Sequence, residues 1–507
     1  MSQFTEADSS VNRLNAAVTA FEKVLTEPEG TVVEMPIGAA QPSLAERLKR
    51  AVDAVTVKPA QAAAQASAAA QQAQAAQQSA AQSAADAANS AAATGYVDAP
   101  FPDVWAPLND DLRLLAGIAP ADTITVAGTS YPLPTKSMAF TRSTTGTYID
   151  KSGVLQTAAI NEPRFEREGL LLEGASSNLY TYSEQWGAGQ RITTTNNAGD
   201  SPRGDKTMAL LVEDTNNSEH YSQDRNITLT AGTTYCYSVF VKAHTSPRNL
   251  YLRVASGSTS GVFFDPVTGA WAGNGNGAQF VDRGFEVLSN GFYRVWMTFT
   301  AAASQSAVIR LQLANGLSSS YTGDGVSGLY VWGAQLEAVP VMTSYIPTAA
   351  SAVTRAANKL SLQPSGNAGY QLLGDAFNRT LAFEIAVNRY ATPNSGYADL
   401  ILVDGANNDI IFRAGSTTVF SFIGGSGPLV AITYPFEPKV YVQSIDTDNT
   451  NTIYFDGKTN SVTRAPTTPT SRPTSINIQS HPNIVYHIRN FRIWHRLLSD
   501  IQIRGLR

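Results

Sequence analysis

A single cysteine, Cys236, stands in 507 residues, so no intrachain disulfide forms and no thiolate zinc site can be assembled. Its place in the strand-like run 235–242 marks it as a small buried hydrophobe. Charge is scarce too: 15% of residues are Asp, Glu, Lys or Arg, and the balance is −5. No run of Lys and Arg occurs, which excludes a nucleic-acid face built by neutralising phosphates. No segment approaches the roughly 20 apolar residues of a membrane span. The start Met1-Ser2-Gln3-Phe4-Thr5-Glu6 lacks a basic and then apolar export pattern. The expectation is synthesis and folding in a cytoplasm, with any later extracellular role requiring lysis or a dedicated secretion machine. Of the five histidines, His481, His487 and His495 lie close together, but spacings of six and eight match no common metal pattern. Asp446, Asp448 and Asn449 lack the turn glycine and following Glu of a calcium loop, and read as a polar loop. No cofactor and no metal are expected.

What the chain does have is alanine, concentrated in one tract. Residues 60–93 include 20 Ala and eight Gln with neither Gly nor Pro, a composition that predicts a continuous helix. Ala62, Ala66, Ala69, Ala73, Ala76, Ala80, Ser83, Ala87 and Ser90 recur at spacings of four and three, the seam of a parallel coiled coil with very small core residues. Each buried methyl contributes only about 0.8 kcal/mol, so such a shaft spaces chains more than it holds them. Before it, residues 1–59 read as a helical head. Val11, Leu14, Val18, Phe21 and Leu25 line one face of a helix over residues 10–25, after cap candidates at 8–10. Ser43 and Glu46 form a capping box for a second helix striped by Leu44, Leu48, Val52 and Val55. Two such helices enclose no core alone, so their stripes are expected to bury against sister chains or another protein.

After the shaft (60–94), residues 95–137 form a junction with a short helix at 110–116 and a hairpin turning at Ala127-Gly128, ended by Pro132 and Pro134. The remaining residues alternate as strands do. Tyr235, Tyr237, Val239 and Val241 face one way, and Leu250/Leu252/Val254, Tyr293/Val295/Met297/Phe299 and Ile309/Leu311/Leu313 repeat the pattern. Turns at Ser289-Asn290-Gly291 and Gly323-Asp324-Gly325 make this an antiparallel sandwich over 138–355. A second β-unit, 356–507, contains the alternating run Leu381/Phe383/Ile385/Val387, a two-residue turn at Asp456-Gly457 and a closing strand at 488–494. The fold class is thus mainly β: a helical head, an Ala-rich coiled-coil shaft and two antiparallel, jelly-roll-like sandwiches.

The strings Phe140-Thr141-Arg142-Ser143-Thr144-Thr145-Gly146-Thr147-Tyr148-Ile149-Asp150, Pro163-Arg164-Phe165 and Gly169-Leu170-Leu171-Leu172-Glu173-Gly174 lead to Asn178-Leu179 and Tyr182-Ser183. Trp332-Gly333-Ala334-Gln335-Leu336-Glu337 and Ser344-Tyr345-Ile346-Pro347-Thr348 follow later. Over residues 138–357 the chain resembles tail-fibre and related receptor-binding proteins of tailed bacteriophages and prophages. The β-unit between the strings is similar to a carbohydrate-binding-module sandwich. Ile453-Tyr454-Phe455-Asp456-Gly457-Lys458 and Ile488-Arg489-Asn490-Phe491-Arg492-Ile493-Trp494 look like parts of a laminin-G or concanavalin-like jelly roll. The resemblance implies a virion protein, a homotrimer, whose head attaches to other tail or baseplate proteins and whose distal modules meet a host-surface glycan such as lipopolysaccharide. A structural connector carrying other fibres and a polysaccharide depolymerase are the alternatives.

Enzymatic chemistry finds little support. Glu162, Glu166, Glu168 and Glu173 cluster in sequence, yet they read as solvated charges rather than the acid and base of a glycosidase. Gly257-Ser258-Thr259-Ser260-Gly261 puts Thr where a hydrolase nucleophile would stand. No repeat of the parallel β-helix kind is found. The expectation is a non-enzyme. Sugar recognition needs aromatic faces to stack on pyranose rings and polar groups to bond their hydroxyls. The candidates are Tyr251 and Trp271 in the middle unit and Tyr397, Asp399 and Tyr434 in the last.

Overall fold

Helix Ser2–Thr26 opens the chain, and Pro28 and Gly30 follow it as the sequence requires. The computed structural model describes residues 2–35, 39–53, 67, 70–79, 98–117, 121–126, 128–256, 258–273, 275–362, 378–393, 395–404, 410–422, 427–448, 450–463 and 475–506. They fall into two compact units, Met1–Val97 and Asp98–Arg507. In the first, the helix begins ahead of the cap candidates at 8–10, because nothing before Pro28 interrupts it. Ala20, Val24 and Val33 form a small buried cluster. Ser43 is fully buried and caps the helix at 44–53, accepting from the Glu46 N–H at 3.1 Å while donating to Pro28 O. The Glu46 carboxylate departs from the expected capping box: it accepts from Gly30 N at 2.9 Å and from Arg50. Leu14, Val18, Phe21 and Leu25 on the first helix and Leu44, Leu48 and Val52 on the second are exposed. Residues 70–79 of the Ala-rich tract are helical and exposed, and the rest of its seam, apart from Ala73 and Ala76, lies outside the described residues. No described helix is long and apolar enough to cross a membrane.

The second unit holds two antiparallel sandwiches, as the alternating sequence pattern predicts. In one, the strands run Lys458–Thr463, Thr450–Phe455, Phe436–Ile445, Arg379–Tyr390, Ile484–Trp494, Gly169–Glu173 and Phe165–Glu166, with Val104–Ala106 also paired to Ile484–Trp494. Its facing sheet runs Leu429–Ala431, Thr418–Phe422, Ile410–Gly415, Tyr397–Asp404, Ser475–Gln479, Lys359–Leu362 and Ala139–Thr141. One core joins them, from Val104 and Leu170 to Phe383, Phe412 and Phe491. The pairing therefore runs across the boundaries expected at 137/138 and 355/356: four strands of the last sandwich come from residues 104–173.

The other sandwich sits in the chain between Ser176 and Arg355. One of its sheets carries Ile192–Gly199, Met208–Glu213, Gly328–Glu337, Thr234–Ala243, Tyr293–Thr300 and Phe280–Val287. The facing sheet is centred on Asn249–Ser256 and Gln305–Ala314, and Tyr237, Val295, Leu252 and Leu311 are among the buried residues between them. Cys236 is fully buried there. Strand Ser176–Asn178 pairs with Val353–Arg355, so the chain enters and leaves this sandwich at adjacent points. Topologically it is an insertion into the outer sandwich.

Two local expectations need correction. Residues 110–116 are irregular rather than helical, with isolated bridges at Arg113 and Ala116: Leu112 and Leu114 are buried in the core, and Leu115 N donates to Trp105 O at 2.8 Å. Tertiary burial of two alternate leucines outweighs helix propensity there. The hairpin Ala121–Val126/Thr129–Ser137 turns where expected, but its second strand runs on through both prolines. Among the described residues its sheet has two strands, the arrangement of edge strands in which prolines are tolerated. The turn at Asp456-Gly457 forms as predicted, with φ of 53° and 72° and Phe455 opposite Lys458.

Candidate functional site

The strings that carry the phage resemblance converge on a buried polar knot where the two sandwiches join. Glu173, expected to be solvated, is fully buried. Its carboxylate accepts from Arg164 Nη1 at 2.6 Å, Ser344 N at 2.8 Å and Ser344 Oγ at 2.5 Å, with Arg355 Nε at 3.1 Å. Burial alone would raise its pKa, yet Arg355 and Arg164 hold it well below the usual carboxylate range. Arg164 also donates to Thr147 O and to Asn358 Oδ1, each at 2.8 Å. Burial and the neighbouring Arg164 and Arg355 push Arg142 down to about 9. Beside this, Asn178 donates to Ala334 O and Ile346 O and accepts from Tyr180 N and Leu336 N. Gln335 accepts from Ile346 N at 2.6 Å. These groups are consumed by one another, so the strings specify a joint.

The five proposed sugar-contacting residues separate into different settings. Tyr251 is 5% exposed, stacked on Phe263 at 4.0 Å, with its ring against Gly261, where a Cβ would meet it at 2.4 Å. Trp271 is half-buried at the edge of the inserted core, edge-on to Phe264, with Arg283 over its ring at 4.7 Å. Tyr434 packs against the outer core and stacks on Tyr390 at 4.0 Å. Burial pushes its phenol well above the usual range.

Tyr397 and Asp399 come together on the outer face of one sheet. They alternate with inward Ala398 and Leu400, and Arg413 and Phe422 follow on the next two strands. The Arg413 guanidinium lies 3.8 Å from the Tyr397 ring centroid and 4.7 Å from that of Phe422. Asp399 accepts both Arg413 Nε and, at 3.0 Å, Nη2. Tyr397 is 41% exposed and the Arg413 side chain 15%. An aromatic, cationic and anionic group thus share one patch, with Tyr397 its most exposed member, on strands whose register shifts beside Asp399 and Arg413. That combination can stack on a sugar ring, donate to hydroxyl or phosphate oxygens and accept from hydroxyls. His481 lies near Asp399; burial lowers its imidazole below the ordinary 6.5.

A second charged face lies on the inserted sandwich. Arg310 donates to Asp224 at 2.6 and 2.7 Å and to Glu219 at 2.9 Å, and covers Tyr221 at 3.5 Å. Its side chain is 11% exposed. Between the sandwiches runs a cleft of about 670 Å³ lined by Tyr148, Lys151, Glu168, Glu286, Arg389 and His487 among others. Arg389 on one side is ion-paired with Glu286 on the other.

No family model matches the chain. No curated protein matches it either. Among solved structures it is similar to crystal structures of two point mutants of HCR/D, each 13% identical over 29% of this chain with a TM-score of 0.24. The matched stretch spans 40% and 39% of those chains, about two fifths of their length. It is also similar to domains LG4-5 of the mouse laminin alpha1 chain, 11% identical over 55% of this chain and 89% of that one, with a TM-score of 0.19.

Arg413 and Phe422 were not singled out from the sequence, although both stand in alternating runs where an outward Arg or Phe is visible once the inward set is fixed. The grouping of Glu166 and Glu168 with His487 was invisible, because 321 residues separate Glu166 from His487.

Proposed function

We propose that the chain is a tail fibre of a tailed bacteriophage, attaching the virion to a host-surface glycan through the Tyr397–Asp399–Arg413–Phe422 face. The observation that carries this reading is the Arg413 guanidinium, 15% exposed, held against two aromatic rings by a carboxylate and bordered by the exposed Tyr397. Anionic saccharides such as those of lipopolysaccharide suit it, since their phosphate and carboxylate groups accept from Arg and their rings stack on aromatics. The uncovered apolar stripes of the head support assembly of identical chains, a homotrimer, and docking to other tail proteins. Three weak glycan sites on one particle raise effective affinity without any single strong contact. The reading includes no bond cleavage. Its test is binding of the full chain to host cells and to purified lipopolysaccharide, with competition against phage adsorption. Binding that blocks adsorption and leaves polysaccharide length unchanged is expected. Absence of any host-surface binding would make the chain a connector, and shortening of the polysaccharide would make it a depolymerase.

A further inference from the structure

We propose that Glu166, Glu168 and His487 form a binding site for a divalent transition ion of the zinc class in the wall of the inter-sandwich cleft. One ligand atom from each residue lies within 4.8 Å of the others. Ligands about 2.0–2.2 Å from a zinc ion are separated from one another by roughly 3–4 Å, so the triad closes on an ion with small side-chain movements.

The backbone brings the three together. Glu166 ends the strand Phe165–Glu166, Glu168 lies in the two-residue turn before Gly169–Glu173, and Leu171 in the second strand pairs with His487. Gly169 adopts φ of 125°, and a Cβ there would meet Ile488 O at 2.6 Å. Only glycine lets the turn lie this close to the His487 strand.

The imidazole is 3% exposed, and Nδ1 stands 2.5 Å from Asn388 Oδ1. The other ring nitrogen, Nε2, faces Glu166 Oε2, 2.8 Å away. At this distance the two atoms share either an Nε2 proton or a metal ion. Glu168 adds a second carboxylate, and it has no hydrogen bond or ion pair with any described residue. The other Glu166 oxygen accepts from Ile149 N at 2.8 Å. Both Glu166 and His487 are therefore oriented by a partner outside the triad, the arrangement that fixes metal ligands. Arg389, one of the cations lining the cleft with Lys151, Arg167 and Arg294, is already paired with Glu286. An imidazole with two carboxylates selects zinc-class ions over calcium or magnesium, which favour all-oxygen sites. The cleft gives the ion an entry path and room for water ligands.

The experiment uses the full chain, stripped with chelator and titrated with ZnCl2 by calorimetry and with CoCl2 by visible absorption. One ion per chain is expected, with a cobalt d–d band. Glu168→Gln and His487→Ala should each weaken binding by about tenfold or more. His244→Ala should leave it unchanged. Because the Glu168 carboxylate has no described partner, Glu168→Gln keeps the thermal midpoint and separates lost binding from lost fold. Absence of saturable binding, or binding that Glu168→Gln leaves intact, would overturn the site and leave a plain hydrogen bond between His487 and Glu166.

Discussion

Two arginine–carboxylate assemblies in this molecule use the same chemistry for opposite ends. In the knot, Arg164 and Arg355 clamp Glu173 with no solvent exposure on the carboxylate or on Arg164. On the outer sheet face, Arg413 clamps Asp399 while both keep water contact, with 15% and 28% of their side chains exposed. Removing one member of a desolvated set leaves the others charged and unpaired, whereas water replaces a lost partner at the surface. Burial, rather than residue type, turns one into a joint and leaves the other free to meet a ligand.

The comparison can be broken first at the level of whole segments. A fragment comprising residues 356–507 lacks the four strands Val104–Ala106, Ala139–Thr141, Phe165–Glu166 and Gly169–Glu173. It should be unfolded by circular dichroism and heteronuclear NMR, while a fragment of 98–507 folds. A well-dispersed spectrum from 356–507 would refute the insertion architecture. Next in size, Glu173→Gln should lower unfolding free energy by about 3–5 kcal/mol in urea titrations, as for other broken buried pairs.

The same residue sharpens the comparison through pH. Its folded pKa lies below the ordinary 4.5, so its contribution is fully present above that value and is lost as pH falls below it. Wild-type stability should therefore drop more steeply on acidification below pH 4.5 than that of Glu173→Gln. Parallel curves would mean that the knot does not hold the carboxylate ionised. Smaller again, Gly169→Ala should cost about 1–3 kcal/mol, because an alanine at that φ is strained and its Cβ meets Ile488 O. At the surface, Phe422→Ala should weaken lipopolysaccharide binding a few-fold, by loss of roughly 1 kcal/mol of stacking. Trp271→Phe should leave that binding unaltered.

Much of the fold was legible because its signals are local. Alternation at residues 235–241 and 381–387 marks inward faces, and Asp456-Gly457 supplies two positive φ angles for a two-residue turn. The insertion was not legible: nothing in Ala139–Thr141 or Gly169–Glu173 says that their partners lie beyond residue 358. The knot was hidden for the same reason, since Arg164 and Asn358 are 194 residues apart. Leu112 and Leu114 were read as helical because a short run cannot reveal what covers it. Of the candidate site, the pair Tyr397 and Asp399 was visible in its i, i+2 spacing. Arg413, which binds them into one patch, required the sheet register.

The most direct measurement compares wild type, Arg413→Ala and Arg310→Ala as full chains, recording lipopolysaccharide affinity and urea stability on the same samples. For Arg413→Ala the expected result is at least about tenfold weaker binding by a chain that the urea titration shows still folded before the transition. Arg310→Ala should bind like wild type. Undiminished binding by Arg413→Ala, or loss confined to Arg310→Ala, would contradict the assignment of recognition to the Tyr397–Arg413–Phe422 face.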